Sequence, residues 1–287
     1  MNIKLSKVKG WSLLFIFNLV FSERVGAESI FTEQPSFDST RIELQNKKGK
    51  FLCFNRFSSE QFEDGGFSWI GKSVDGVDFL TLSYVGEKMR GSVDSPQSKF
   101  QFRGDLINQE IFFPDSKIRP CGGCNPLEMP LRDPRSGAQS KHAWRNADAG
   151  QIDLMVVYPS DVRNEIGSEA GTLAEINNAV NGANLCFRNS HVPIQLRLVH
   201  AFESSYNPTG NLDLDLERLT KKDDGYLDNI HSARDQYGAD IVTLLSTDSS
   251  LGGLANTLSY PDFSFEDSAF NVCVWDQIGS PAYTLAH

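Results

Sequence analysis

The hydrophobic period of the chain changes at Gly150, and no single layer of secondary structure accommodates both periods. From about Ile30 to Arg119 apolar residues come in short runs of strand length separated by turn signals. Phe67-Ser68-Trp69-Ile70 is followed by Ser73-Val74-Asp75-Gly76, whose Asp-Gly pair is a hairpin signal, and then by Phe79-Leu80-Thr81-Leu82-Ser83-Tyr84. Met89-Arg90-Gly91-Ser92-Val93, Phe100-Gln101-Phe102 and Glu110-Ile111-Phe112-Phe113 continue the series. No amphipathic helix of three turns fits this stretch, so a β-rich, twisted-sheet module is expected. Residues 125–150, with Pro126, Pro130 and Pro134 among polar residues, bury little and read as an exposed linker.

After Gly150, apolar runs alternate with helical stripes. Ile152-Asp153-Leu154-Met155-Val156-Val157-Tyr158 is nearly continuous, as expected of a central strand covered on both faces. Thr172-Leu173-Ala174-Glu175 has the form of a capping box, and Leu173, Ile176, Val180, Ala183 and Phe187 form one stripe of a long helix. Ile194, Leu196 and Leu198 alternate as a strand, with His200 continuing their face. Tyr226, Leu227, Ile230, Ala233 and Tyr237 mark a second helix ending at Gly238, before the strand Ile241-Val242-Thr243-Leu244-Leu245. Strand, helix, strand, helix, strand implies an α/β layer arrangement.

With 287 residues, 40% hydrophobic and 22% charged, the chain can build substantial cores, which excludes disorder for most of its length. A net charge of -10, with no dense basic run after the first residues, excludes nucleic acid as the expected partner. Lys4, Lys7 and Lys9 precede the apolar run Trp11–Phe21, and Val25-Gly26-Ala27 supplies small residues, which is the layout of a secretory signal spanning 1–27. That run is shorter than the roughly 20 residues a membrane span needs. The exported product is therefore expected to be secreted or extracytoplasmic, off the membrane, and more acidic than its precursor.

The sequence closes on Tyr283-Thr284-Leu285-Ala286-His287, a histidine with no cap, turn or polar tail behind it. Here the chain resembles the metzincin zinc metalloproteases, specifically the reprolysin-like (adamalysin) branch and its exported bacterial members. In that family such a run leads into H-E-x-x-H-x-x-G-x-x-H, of which His287 is the first letter. Ile152–Tyr158 resembles the first strand of the catalytic domain, His231–Val242 its second helix entering a strand, and Gly253-Leu254-Ala255 the edge strand above the cleft. Trp69-Ile70-Gly71 and Met89-Arg90-Gly91 resemble the propeptide region of the bacterial members.

The resemblance implies a β-rich propeptide domain (28–124), the linker, and the N-terminal part of an α/β metalloprotease catalytic domain (151–287). It implies a secreted zinc metalloendopeptidase made as a latent precursor, with protein or peptide substrates. His287 would be a zinc ligand, and Gly253, Leu254 and Ala255 would hold substrate. The motif works because two His at i and i+4 and a third beyond a glycine turn leave zinc an open position for water, while the Glu serves as general base. One imidazole does not hold zinc usefully, so the chain as written is expected to be inactive. Lacking the active-site helix, it is also expected to leave Ile241, Leu244 and Phe270 partly exposed. A non-catalytic exported binding module or a decayed protease remnant is the alternative, and the reading frame after His287 distinguishes the two.

His142, His191, His200 and His231 have no ligand partners at helical or short-loop spacing and read as packed or solvated residues. Cys121-Gly122-Gly123-Cys124 lacks the second pair of a zinc knuckle and the strand-helix setting of a redox centre. A structural disulfide and unpaired thiols stay open. So does a latency device, because Arg119-Pro120-Cys121-Gly122 resembles the cysteine switch of metzincin propeptides. Cys53, Cys186 and Cys273 read as core thiols or disulfide halves.

Overall fold

The computed structural model describes residues 29–63, 65–96, 99–112, 118–120, 150–248, 250–257 and 267–287. The export signal, Cys121, Cys124, His142 and residues 125–149 of the linker lie outside the described residues.

The first sheet is an antiparallel meander of seven strands that pair in chain order. These are β1 (Arg41–Gln45), β2 (Phe51–Gln61), β3 (Phe67–Lys72), β4 (Phe79–Val85), β5 (Lys88–Asp94), β6 (Phe100–Gly104) and β7 (Gln109–Phe112). Period-2 alternation sends Leu44, Phe54, Trp69, Leu80, Leu82, Met89, Phe100 and Phe102 to one buried face. The sheet curls around that face. Phe31 meets Phe102 edge-on with centroids 5.4 Å apart, while Ile30 donates to the Gln109 side chain at 3.1 Å and accepts from the Gln45 amide at 2.7 Å. Gly71 and Gly91 allow the curl, since a Cβ there would stand 2.2 Å from the Trp69 ring and 2.1 Å from the Phe102 ring. β1 and β2 carry no run that the sequence reading picked out. The Asp75-Gly76 turn is real, with Gly76 at φ +76, but it sits in a six-residue loop closed by Ser73 and Asp78 rather than in a two-residue hairpin.

The second sheet has the order β11-β12-β10-β8-β9. Its strands are β8 (Gly150–Pro159), β9 (Ile194–Ser204), β10 (Ile241–Ser246), β11 (Gly253–Ala255) and β12 (Phe270–Val274). β9, β8, β10 and β12 are parallel, and β11 closes one edge antiparallel to β12. β8 is an interior strand, although β10 occupies the middle. The helices are α1 (Ser160–Ile166), α2 (Glu169–Asn189), α3 (Leu212–Thr220) and α4 (Asn229–Tyr237). One face of the sheet buries Leu154, Val156 and Leu245 against Ile176, Ala179, Val180 and Ala183 of α2. The other buries Met155, Val157, Val242 and Leu244 against Leu216, Leu219, Leu227 and Ile230.

Several expectations change here. α2 starts one turn earlier than the capping box implied. Ser168 is the N-cap, accepting from the Gly171 amide, and Thr172 donates its hydroxyl to the Ser168 carbonyl from inside the helix. Tyr226 precedes α4 and lies under the Arg218 guanidinium at 3.6 Å. A bulge in β9 pairs Leu154 with Leu198 but Met155 with His200. His200 is thereby turned off the Leu196 face to stack on Tyr237, centroids 3.8 Å apart. Leu244 and Phe270, expected to be partly exposed, are 0% and 2% exposed because α3, α4 and Leu227 cover that face.

α2 is buried on two faces rather than along one stripe, because it packs on β4 and β5 as well as on its own sheet. By helical spacing Glu175, Asn178 and Asn181 lie away from the apolar stripe. Opposite them the meander presents its alternate residues Thr81, Ser83, Arg90 and Ser92, all buried. The Arg90 guanidinium meets Glu175 at 3.1 Å and donates to the Ile166 carbonyl at 3.3 Å. Burial pushes the Glu175 carboxyl up and the Arg90 guanidinium down, so desolvation outweighs the attraction within the pair. Ser83 Oγ, Asn178 Oδ1 and Asn181 Nδ2 are buried without a hydrogen-bond partner.

Candidate functional site

β11, the last strand of its sheet, is preceded by Gly252, which joins three segments. The Gly252 carbonyl accepts from the Val274 amide at 2.9 Å, and its amide donates to the Pro120 carbonyl at 3.0 Å. A Cβ on Gly252 would stand 3.1 Å from both the Arg119 carbonyl oxygen and Thr284 Cγ2, so a larger residue would push these segments apart. The stretch 118–120 thus lies against the open end of the sheet, beside the segment that leads to His287.

The Arg119 side chain fixes that stretch. Its Nη1 and Nη2 donate to the two Asp276 carboxylate oxygens at 2.6 and 3.0 Å, a forked pair, and its backbone amide donates to Gln277 Oε1 at 3.3 Å. Asp276 and Gln277 belong to a single 3-10 turn, Trp275–Gln277, that follows β12 directly.

The segment from 275 to 287 is held from several sides. Trp275 Nε1 donates to Glu165 of α1 at 2.6 Å, and Thr284 Oγ1 donates to the Gln277 carbonyl at 2.8 Å. The Tyr283 ring lies against Gly182 of α2, and its hydroxyl donates to Asp94 of β5 at 2.7 Å. Burial, and then the Asp94 carboxylate, push the Tyr283 phenol far up. Gln101 of β6 donates to the Ser280 carbonyl. The meander therefore touches this segment twice, and a second 3-10 turn, Thr284–Ala286, delivers His287 to the surface.

Of the residues singled out in the sequence, Gly253, Leu254 and Ala255 form the sheet edge, and His287 follows the segment that packs on Gly252. His191 is exposed, and His231 is buried, within 3.2 Å of the Lys221 carbonyl and tilted on Phe270. Among the described residues no group of three or more His, Cys, Asp or Glu is placed to hold a metal ion. Cys53 and Cys186 are free thiols, whereas Cys273 is buried on β12. The Arg119–Asp276 fork and the Arg90–Glu175 pair were missed by the sequence reading. Neither lies on a periodic stripe, and their partners stand 157 and 85 positions apart, so no local pattern marks them.

A parallel-stranded sheet between helices, with an antiparallel edge strand beside a histidine-bearing segment, defines an α/β layer arrangement in residues 150–287. Residues 150–258 match the family model Metallo-peptidase family M12B Reprolysin-like, in agreement with the sequence resemblance. A peptidyl-Asp metalloendopeptidase of Xanthomonas campestris pv. campestris is 31% identical over 264 residues, 86% of this chain and 61% of the relative. A protein of the same name from Stenotrophomonas maltophilia is 27% identical over 92% of this chain and 64% of its own length. The chain thus spans about three fifths of the length of the curated relatives it matches. The crystal structure of metalloproteinase-II from Bacteroides fragilis aligns with 86% of this chain and 79% of that one, at TM-score 0.49 and 11% identity.

Proposed function

We propose that this chain belongs to a secreted, zinc-dependent metalloendopeptidase made as a latent precursor. The match of residues 150–258 to the reprolysin-like family carries the reading. Residues 28–124 would be the propeptide, 151–287 the N-terminal part of the catalytic domain, and Gly253–Ala255 the strand that holds a peptide substrate. His287 would be the first zinc ligand.

His287 by itself does not make a zinc site, and no group of three or more ligating side chains surrounds it among the described residues, so the remaining ligands would come from outside them. Zinc, when bound, polarises a carbonyl and acidifies a water. What this chain itself contributes is position. Glu165, Gly182, Asp94 and Gln101 hold the 275–287 segment, and the sheet edge beside Gly252 offers main-chain groups to an extended peptide. Latency is supported by the stretch 118–120, which lies against that edge. Export is supported by the basic, apolar and small-residue order of 1–27. Among the described residues no helix is long and apolar enough to cross a membrane.

The test is a zinc titration and a protein-digestion assay, with a chelator control, on the chain ending at His287 and on one continued by the rest of the motif. Stoichiometric zinc and chelator-sensitive cleavage by the longer protein alone are expected. A longer protein that neither binds zinc nor cleaves contradicts the metalloprotease reading.

A further inference from the structure

Resting on the reading of a peptide-cleaving site, we propose that Asp276, with Gln277 and Gly252, forms a subsite for an arginine side chain of an extended peptide, and that Arg119 fills it in this chain. Residues 118–120 have no secondary structure of their own. They are held the way a bound peptide is held. Two hydrogen bonds use the main chain, from the Gly252 amide to the Pro120 carbonyl and from the Arg119 amide to Gln277 Oε1. Two more run in parallel from the guanidinium to the two oxygens of one carboxylate. Main-chain bonds at a sheet edge accept any sequence, whereas a forked pair selects a planar guanidinium.

The surroundings fit a site that exchanges occupants. The Arg119 and Asp276 side chains are 23% and 37% exposed, so the carboxylate is reachable from solvent. It sits on a turn fixed directly after β12 rather than on a long loop. Thr284, three positions before His287, flanks the same glycine, which places the subsite along the path from the sheet edge to the expected metal ligand. Once 118–120 leaves, the Asp276 side chain would be open to solvent at the sheet edge, and a substrate arginine would restore the fork.

The test uses the full chain and two short probes, acetyl-Ile-Arg-Pro-amide and the same peptide with neutral citrulline in place of arginine. Binding is followed through the amide resonances of Gly252 and Gln277. Arg119→Ala should take the arginine probe at least tenfold more tightly than the citrulline probe, and at least tenfold more tightly than the unaltered chain does. Arg119→Gln, which keeps much of the stem, should behave likewise and guards against loss of packing at Ala. Adding Asp276→Asn to either should abolish the discrimination. Equal binding of the two probes, failure of both variants to bind, or preference for arginine surviving Asp276→Asn would each overturn the assignment. None of these outcomes depends on zinc or cleavage, so the metalloprotease reading stands or falls separately.

Discussion

The two sheets bury apolar surface in opposite ways. In the meander every strand pairs with its neighbour in sequence, and one face holds the apolar core while the other carries Thr81, Ser83, Arg90 and Ser92. In the second sheet the parallel strands are joined through crossovers, and both faces are apolar. α2 stands between the sheets and copies the difference, with Ile176 and Val180 toward its own sheet and Glu175 and Asn178 away from it. The apolar cores are thus separate, and the surface that joins them is rich in hydroxyls, amides and one ion pair. A joint of that composition exposes no large apolar area when it opens, so both sides can stay folded and soluble apart.

The largest expected effect falls inside one sheet. Trp69 is fully buried in the meander, and its Nε1 donates to the Ser39 carbonyl at 2.8 Å. Trp69→Ala should cost about 3–5 kcal/mol and unfold the meander first, leaving α2 and β8–β12 folded. Denaturant unfolding followed by a probe in each sheet checks this, and simultaneous loss of both would merge the two units.

Next comes the joint. Glu175→Leu leaves Arg90 buried without its counter-charge and should destabilise the assembly by about 3 kcal/mol. The double change Arg90→Met with Glu175→Leu should recover most of that loss, because desolvation opposes both charges where they stand. A double-mutant cycle measures the difference. If the double variant is as unstable as the single one, the pair itself supplies the stability of the joint.

The same contrast governs what the sequence reveals. Strands β3 to β7 follow from short apolar runs separated by turn signals. β8, α4 and β10 follow from apolar runs and stripes. β1, β2 and α3 were missed: β2 is long but largely exposed, whereas β1 alternates Ile42 and Leu44 and α3 buries Leu212, Leu216 and Leu219, marks that were present and not read. The polar face of α2 looked solvated because partnership with another sheet leaves no periodic mark. His200 changed sides through a single bulge in β9, which alternation does not encode. At the candidate site the family resemblance pointed to His287 and Gly253–Ala255, which stand as proposals. The pairing of Arg119 with Asp276 was not legible, because only the fold brings them together.

Smaller effects sharpen the comparison within the second sheet. Ser168→Ala removes the side-chain acceptor at the start of α2 and should cost about 1 kcal/mol, read as a lowered thermal midpoint of the β8–β12 unit alone. On the surface, hydrogen bonds from Arg197 hold the Asp153 carboxyl below its ordinary range. A carboxyl depressed on folding stabilises above its unfolded pKa and loses that contribution as pH falls through the folded value. Arg197→Ala should therefore remove a small contribution that is present at neutral pH, change stability least well below about pH 4, and so leave the stability-pH curve shallower on the acid side, as acid titration of unfolding checks.

Native-state hydrogen exchange on the full chain tests the two-core account most directly. The account predicts two cooperative opening units, with amides of 41–112 sharing one opening free energy and those of 150–274 another. Trp69→Ala should collapse protection in the first unit only. A single opening free energy shared by β4, α2 and β10, moved as a whole by that substitution, would contradict it.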